Sequence, residues 1–324
     1  MNSVDAAIAD CRYAIFSGGV GGAKLALGLY LEQSSEELLV IGNVGDDFSH
    51  WGLHISPDLD TLMYTLAGVA DPDQGWGRAQ ESWTVLDTLS DLGGIDWFRL
   101  GDRDLAVHLE RSARLGKGET LSAVTRHLCR AFGVTATLVP PTDDEVRTMV
   151  DTTDRTLSFQ EYFVRERCEP AVTGLRYQGA SQATILPEIG RLLAGDRLEA
   201  VILSPSNPYL SLDPILEIAD LRHRLAASPA PVVAVSPLIQ SQAFKGPTAK
   251  IMMELGFAVS TLTVAQHYAD ILDGIVIDPA DRELSGVIAD LGIKVRITDT
   301  NMVNEHDKRR LAAEVISFSE TIAT

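Results

Sequence analysis

The chain alternates short, uninterrupted apolar runs with longer stretches of helical periodicity. "RYAIFSGG" at 12–19 reads as a buried strand entering a glycine turn, and "AKLALGLYLEQ" at 23–33 as the helix that follows, with Leu25, Leu29 and Tyr30 on its apolar face. "ELLVIGNVGDD" repeats the strand-to-loop theme. Further apolar runs follow in "TATLVP" near 135, "EAVILSPSNP" from 199, "APVVAVSP" from 230, "DGIVID" from 273 and "IKVRIT" from 293. Strands rich in Val and Ile without polar alternation, separated by helices, predict a parallel sheet covered on both faces. The stretch 60–130 lacks such runs: "DTLMYTLAG", "QESWTVLDTLSDLG", "DRDLAVHLERSARLG" and "LSAVTRHLCRAFG" read as helices. "VRTMVDTTDRTLSFQEYFVRE" predicts a pair of antiparallel strands around a turn at Asp154. The expected architecture is α/β, a Rossmann-like doubly wound, mostly parallel sheet with a helical lobe and a small β-excursion. A single catalytic unit would span 1–324, with its core at about 12–60 and 133–318, the lobe at about 61–132 and the excursion at about 146–180.

Composition narrows the function classes. The 324 residues are 45% hydrophobic and 22% charged, ordinary for a globular protein. A net charge of −18 argues against a nucleic-acid partner, which would want a basic face. It leaves room for an anionic substrate, because a local cationic cluster or a divalent ion can reverse the field inside a cleft. Cys11, Cys129 and Cys168 have no CxxC spacing and suit reduced structural positions in a cytoplasmic protein. No apolar run reaches the roughly 18 residues of a membrane span, and "MNSVDAAIADCR" lacks the features of a signal peptide, so no membrane partner is expected.

The polar motifs fall at the ends of the predicted strands, where ligands bind in such sheets. Gly18, Gly19, Gly21 and Gly22 crowd one strand-to-helix turn. A P-loop would need Lys followed by Ser or Thr, but Lys24 lies between Ala23 and Leu25. A dinucleotide fingerprint fails because its sixth position is Lys24. What remains is a turn whose amides and helix N-terminus suit an anion, or a tight turn with no ligand. Asp46, Asp47, Asp58 and Asp60 lie within fifteen residues, with Ser56 and Pro57 placed as N-cap and first residue of a helix. Acidic residues in a first turn complement the helix dipole, but two such pairs exceed capping, and clustered carboxylates suit magnesium beside a phosphate substrate. "WFRLGDRDLAVH" gathers Arg99, Asp102, Arg103, Asp104 and His108; it reads either as a charged helix start or as a partner for phosphate or a flat heterocycle. "ILSPSNPYL" and "VSPLIQSQAFKGPTAK" are two more strand-end loops, the second offering a helix start after Gly246.

Together "SGGVGGAKL", "NVGDD", "SPDLDTLMY", "LGDRDLAVH", "PPTDD", "FQEYFV", "PSNP", "SPLI" and "GPTAK" run in the order seen in the 2-phospho-lactate transferases of coenzyme F420 biosynthesis. The chain resembles that family from about residue 13 to about 305. The resemblance implies a Rossmann-like core, a magnesium requirement and a homodimer. It implies transfer of a phospho-acid from a guanosine-diphosphate-activated donor to the deazaflavin Fo, with release of GMP. It would set Fo against Asp60, Arg99 and Asp102, with Asp60 as the catalytic carboxylate. The guanosine diphosphate part would lie against Gly18, Gly19, Gly21, Gly22, Ser206, Asn207, Ser236 and Gly246. Asp46, Asp47 and Asp58 are candidates for the metal. Gln240 departs from the glycine of many relatives. An alternative is a nucleotide-sugar-binding regulator of related fold that binds without turnover; a nicotinamide dehydrogenase ranks below both.

Overall fold

The seven apolar runs form the seven strands of one sheet, all parallel, in the computed structural model, which describes residues 8–240, 242–243 and 247–323. In chain order these are β1 (Tyr13–Ser17), β2 (Leu38–Gly42), β3 (Thr137–Val139), β4 (Ala200–Leu203), β5 (Val232–Val235), β6 (Gly274–Ile277) and β7 (Lys294–Ile297). Their spatial order is β3-β2-β1-β4-β5-β6-β7, with Phe16 of β1 aligned to Ile41 on one side and Leu203 on the other. Every residue of β1, β2, β4, β5 and β6 is buried, which is why these segments carry no polar alternation. The strand order reverses between β1 and β4. In open sheets of this kind, ligands bind at the carboxyl ends of the strands beside such a switch in order.

Helix α1 (Gly19–Glu32) follows β1 directly and packs along the C-terminal helix Glu305–Ala323. A side chain at Gly28 would meet the Lys308 carbonyl, so glycine is what lets these two helices approach. Helix α2 (Pro57–Leu66) begins at the expected Ser56-Pro57 pair, but the Ser56 hydroxyl donates to Asp47 rather than capping its own helix. Beyond it lie α3 (Thr84–Asp91), α4 (Asp102–Leu115) and α5 (Leu121–Ala131).

Two features differ from expectation. The expected antiparallel pair around Asp154 forms, Arg147–Thr152 with Thr156–Ser158, but a third strand that was not expected, Val172–Gln178, pairs with the other edge of Arg147–Thr152. The third strand is half-exposed and carries no clean apolar period. A short hairpin pairs Phe48–His50 with Leu53–Ile55 through Trp51 and Gly52, both at positive φ (51° and 75°), the geometry of a type I′ turn. Trp51 is an unusual residue for such a turn, and its indole N–H donates to the Ile95 carbonyl at 3.0 Å. Among the described residues no helix is long and apolar enough to cross a membrane.

Candidate active site

A cavity of about 800 Å³ opens at the switch between β1 and β4. The glycine turn forms part of its floor. Gly18 is the extended N-cap of α1 and Gly19 takes φ +63°. A Cβ on Gly21 would sit 2.7 Å from the Pro205 carbonyl oxygen, one on Gly22 would strike the hydroxyls of Ser17, Ser204 and Ser206, and one on Gly18 the Asp58 carboxylate. The glycine density therefore has a packing cause: the loops after β1 and β4 press together here. Two of the turn's amides are also occupied, Gly19 N–H by Asp58 Oδ1 at 2.7 Å and Gly18 N–H by Ser206 Oγ at 3.2 Å. Gly18, Gly19, Gly21, Ser206 and Asn207 line the cavity, and the Asn207 side-chain oxygen, Oδ1, accepts the N–H groups of Tyr209 and Leu210 to fix its loop. Gly22 lies behind the wall.

The loop after β5 enters through Pro237. Ser236 is fully buried beneath it, bonded to the Leu238 backbone and to Thr261 Oγ1 at 3.0 Å, and does not line the cavity. Gln240 takes φ +50°, the left-handed region that favours glycine, and its N–H donates to Asp281. Gly246 lies outside the described residues.

The four expected carboxylates are all buried. Asp58 accepts from Gly19 N–H and Asn43 Nδ2; burial outweighs these bonds and pushes its carboxyl up to about 6. Burial, then the neighbouring Asp58 and Asp47, hold Asp46 well above the usual carboxylate range. Asp47 accepts from His54 Nε2 at 2.9 Å and Ser56 Oγ at 2.8 Å and does not line the cavity, whereas Asp46, Asp58 and Asp60 do. Asp46 Oδ1 and Asp47 Oδ1 are buried without a hydrogen-bond partner. Buried carboxylates gathered this closely, two of them with an orphaned oxygen, fit a hard divalent cation.

Asp60 belongs to a second arrangement. Both its oxygens accept from the guanidinium of the fully buried Arg111, Oδ2 at 3.0 Å from Nη1 and Oδ1 from Nη2. Burial raises the Asp60 carboxyl, and Arg111 and then His108 oppose that rise. Arg111 Nη1 also donates to His108 Nδ1 at 3.0 Å. A guanidinium only donates, so that nitrogen is the acceptor and the ring proton lies on Nε2, 3.3 Å from Asp104 Oδ1. Tyr64 donates to the same Asp104 oxygen at 2.6 Å. Asp60, Asp104 and His108 also bring ligand atoms within 4.8 Å of one another, but Arg111 already neutralises Asp60.

The opposite wall is aromatic. Trp97 and Phe98 face the cavity from the segment before α4, Phe98 edge-on to Phe48 at 4.7 Å, and Phe159 stacks on Phe163 at 5.3 Å. Arg99 lines this wall with its guanidinium 4.3 Å from the centre of the Trp83 ring. Asp102 turns away: it caps α3, accepting from Ser82 Oγ at 2.7 Å and from Thr84 and Val85 N–H, bonds that hold its carboxyl below the usual range. Sequence reasoning missed Arg111, Tyr64 and the Phe159–Phe163 pair. Spacings of four and three put Asp104, His108 and Arg111 on one helical face, a signal that was there to be read.

Comparison with known proteins places this geometry in a family. The profile of the family described as "2-phospho-L-lactate transferase CofD" matches residues 14–318. A phosphoenolpyruvate transferase of Thermobifida fusca is 40% identical over 322 residues, covering 95% of this chain and 98% of that protein. A 2-phospho-L-lactate transferase of Methanosarcina mazei is 36% identical over 302 residues, covering 93% and 98%. A crystal structure of a UPF0052 family member from Bacillus halodurans superimposes with a TM-score of 0.60 at 13% identity, covering 94% of this chain and 98% of that one, and shares the fold. The chain is an enzyme of the transferase class and belongs to the 2-phospho-L-lactate transferase CofD family.

Proposed function

We propose that the enzyme transfers a phospho-acid from a guanosine-diphosphate-linked donor to the deazaflavin Fo, releasing GMP, as a step of coenzyme F420 biosynthesis. The observation that carries this reading is the two-sided cavity: a floor of helix N-terminus, serine loop and carboxylates faces a wall of Trp97, Phe98 and Arg99. One side suits an anionic donor and the other a flat polar ring system.

In this reading a ribityl hydroxyl oxygen of Fo bonds to the phosphorus that carries the organic acid. The bond from that phosphorus to the bridging oxygen breaks, and GMP departs with that oxygen. Asp60 orients the hydroxyl and receives its proton, held in place by Arg111. Arg99 holds the deazaflavin against the aromatic wall. Asp46, Asp47 and Asp58 would hold magnesium, which when bound supplies positive charge against the pyrophosphate. The donor acid is phospholactate, phosphoenolpyruvate or 3-phosphoglycerate, and the 40% identity to a phosphoenolpyruvate transferase supports trying the enolpyruvyl donor first.

The test is incubation with Fo, magnesium and each guanosine-diphosphate-linked acid in turn. GMP and a phosphodiester of Fo are expected with at least one donor, and none in excess EDTA. No GMP from any donor would overturn the reading, and full turnover in chelator would remove the metal from it.

A further inference from the structure

The β-excursion contributes a cation to the cavity that the transfer reading leaves unused. Three cationic side chains among the described residues line the cavity. Lys24 donates to the Met302 carbonyl at 3.0 Å, and Arg99 lies over Trp83. Arg167 is exposed at the rim and has no hydrogen-bond or charge partner among the described residues.

Its backbone is held in an uncommon state. Arg167 and Cys168 are consecutive non-glycine residues in the left-handed region, at φ 52° and 58°. Such conformations persist where the surroundings impose them, and they concentrate at functional sites. Here the surroundings are explicit. Cys168 N–H donates to the Tyr162 carbonyl at 2.9 Å, and the hydroxyl of the buried Tyr162 reaches back to the Cys168 carbonyl at 3.5 Å. Lys250, from the "GPTAK" stretch, donates to that hydroxyl at 3.3 Å and to the Pro170 carbonyl at 2.9 Å. The motif that the sequence suggested for a nucleotide thus clamps the turn that presents Arg167.

We infer that Arg167 binds the carboxylate of the donor's organic acid, so that the excursion recognises the acid while the floor holds the nucleotide. This rests on the transfer reading above. All three candidate acids carry a carboxylate, and it must enter a cavity floored by Asp46, Asp58 and Asp60. A free guanidinium offers that group two parallel hydrogen bonds and the opposite charge.

The test compares two donors in the intact enzyme: a carboxylate-bearing guanosine-diphosphate-linked acid that the wild type uses, and ethyl diphosphoguanosine, which has no carboxylate. Arg167→Met keeps length and backbone but not charge. It is expected to lower kcat/KM for the carboxylate donor by about 10- to 100-fold, mostly through KM, the loss for a charge-assisted hydrogen bond. Ethyl diphosphoguanosine turnover and the KM for Fo should stay within about twofold, and Arg167→Lys should recover part of the loss. An equal loss with both donors, or no loss with either, overturns the inference while leaving the transfer reading intact. A wild type that releases no GMP from any donor overturns the transfer reading and the inference with it.

Discussion

Arg111 is a guanidinium wholly inside the protein, and its partner is the carboxylate assigned to chemistry. The two roles of Asp60 can be separated. Asp60→Asn leaves a buried positive charge undercompensated, which costs about 3–5 kcal/mol when one member of such a pair is lost. It should also slow the chemical step by roughly two to four orders of magnitude. Replacing both charges, Asp60→Asn with Arg111→Met, removes the uncompensated ion and should recover stability in a denaturant titration without recovering turnover. Turnover that returned together with stability would make Asp60 a structural residue. At this scale the sequence was readable where residue type alone carries the chemistry, as in the crowded aspartates. It was not readable where the partner is distant: Asp60 and Arg111 are 51 positions apart, and Asp102 looks like a ligand until Thr84 and Val85 are brought beneath it.

Among elements, the buried strands were the most legible part of the chain, because a strand covered on both faces needs a continuous apolar run. The hairpin at Phe48–Ile55 was not, since its turn uses Trp51 where the usual signal is Asn or Asp before Gly. Nor was the reason for Gly28. Mid-helix glycine ordinarily weakens a helix, and Gly28→Ala would be expected to help. Here the added methyl would meet the Lys308 backbone carbonyl and push α1 from the C-terminal helix. Gly28→Ala should therefore destabilise by about 1–3 kcal/mol in thermal or chemical unfolding, the usual range for overpacking. An unchanged or raised midpoint would show that the two helices have slack.

For the whole molecule, the acidic floor couples stability to pH and to divalent ions. Asp58, at about 6, and Asp46, also raised by burial, bind protons more tightly folded than unfolded. Their stabilising contribution is complete below the ordinary carboxyl value near 3.8 and is lost as pH rises through about 6 and beyond. Without divalent ions these two groups make the protein less stable at pH 7.5 than at pH 5.5, and magnesium, which needs ionised ligands, should raise Tm more at pH 7.5 than at 5.5. A magnesium-induced shift equal at both values would separate the ion from these carboxylates. The packed glycine floor has another consequence, an evolutionary one. Gly21 and Gly22 abut the backbone and hydroxyls of the opposing loop, so the floor offers drift almost no viable substitutions. The rim is made of side chains such as Phe163 and Arg167 that can be exchanged without moving the main chain. Lineages of such an enzyme would keep one ancestral floor and diversify by small changes at its edge, and a saturation-mutagenesis map should divide along that same line.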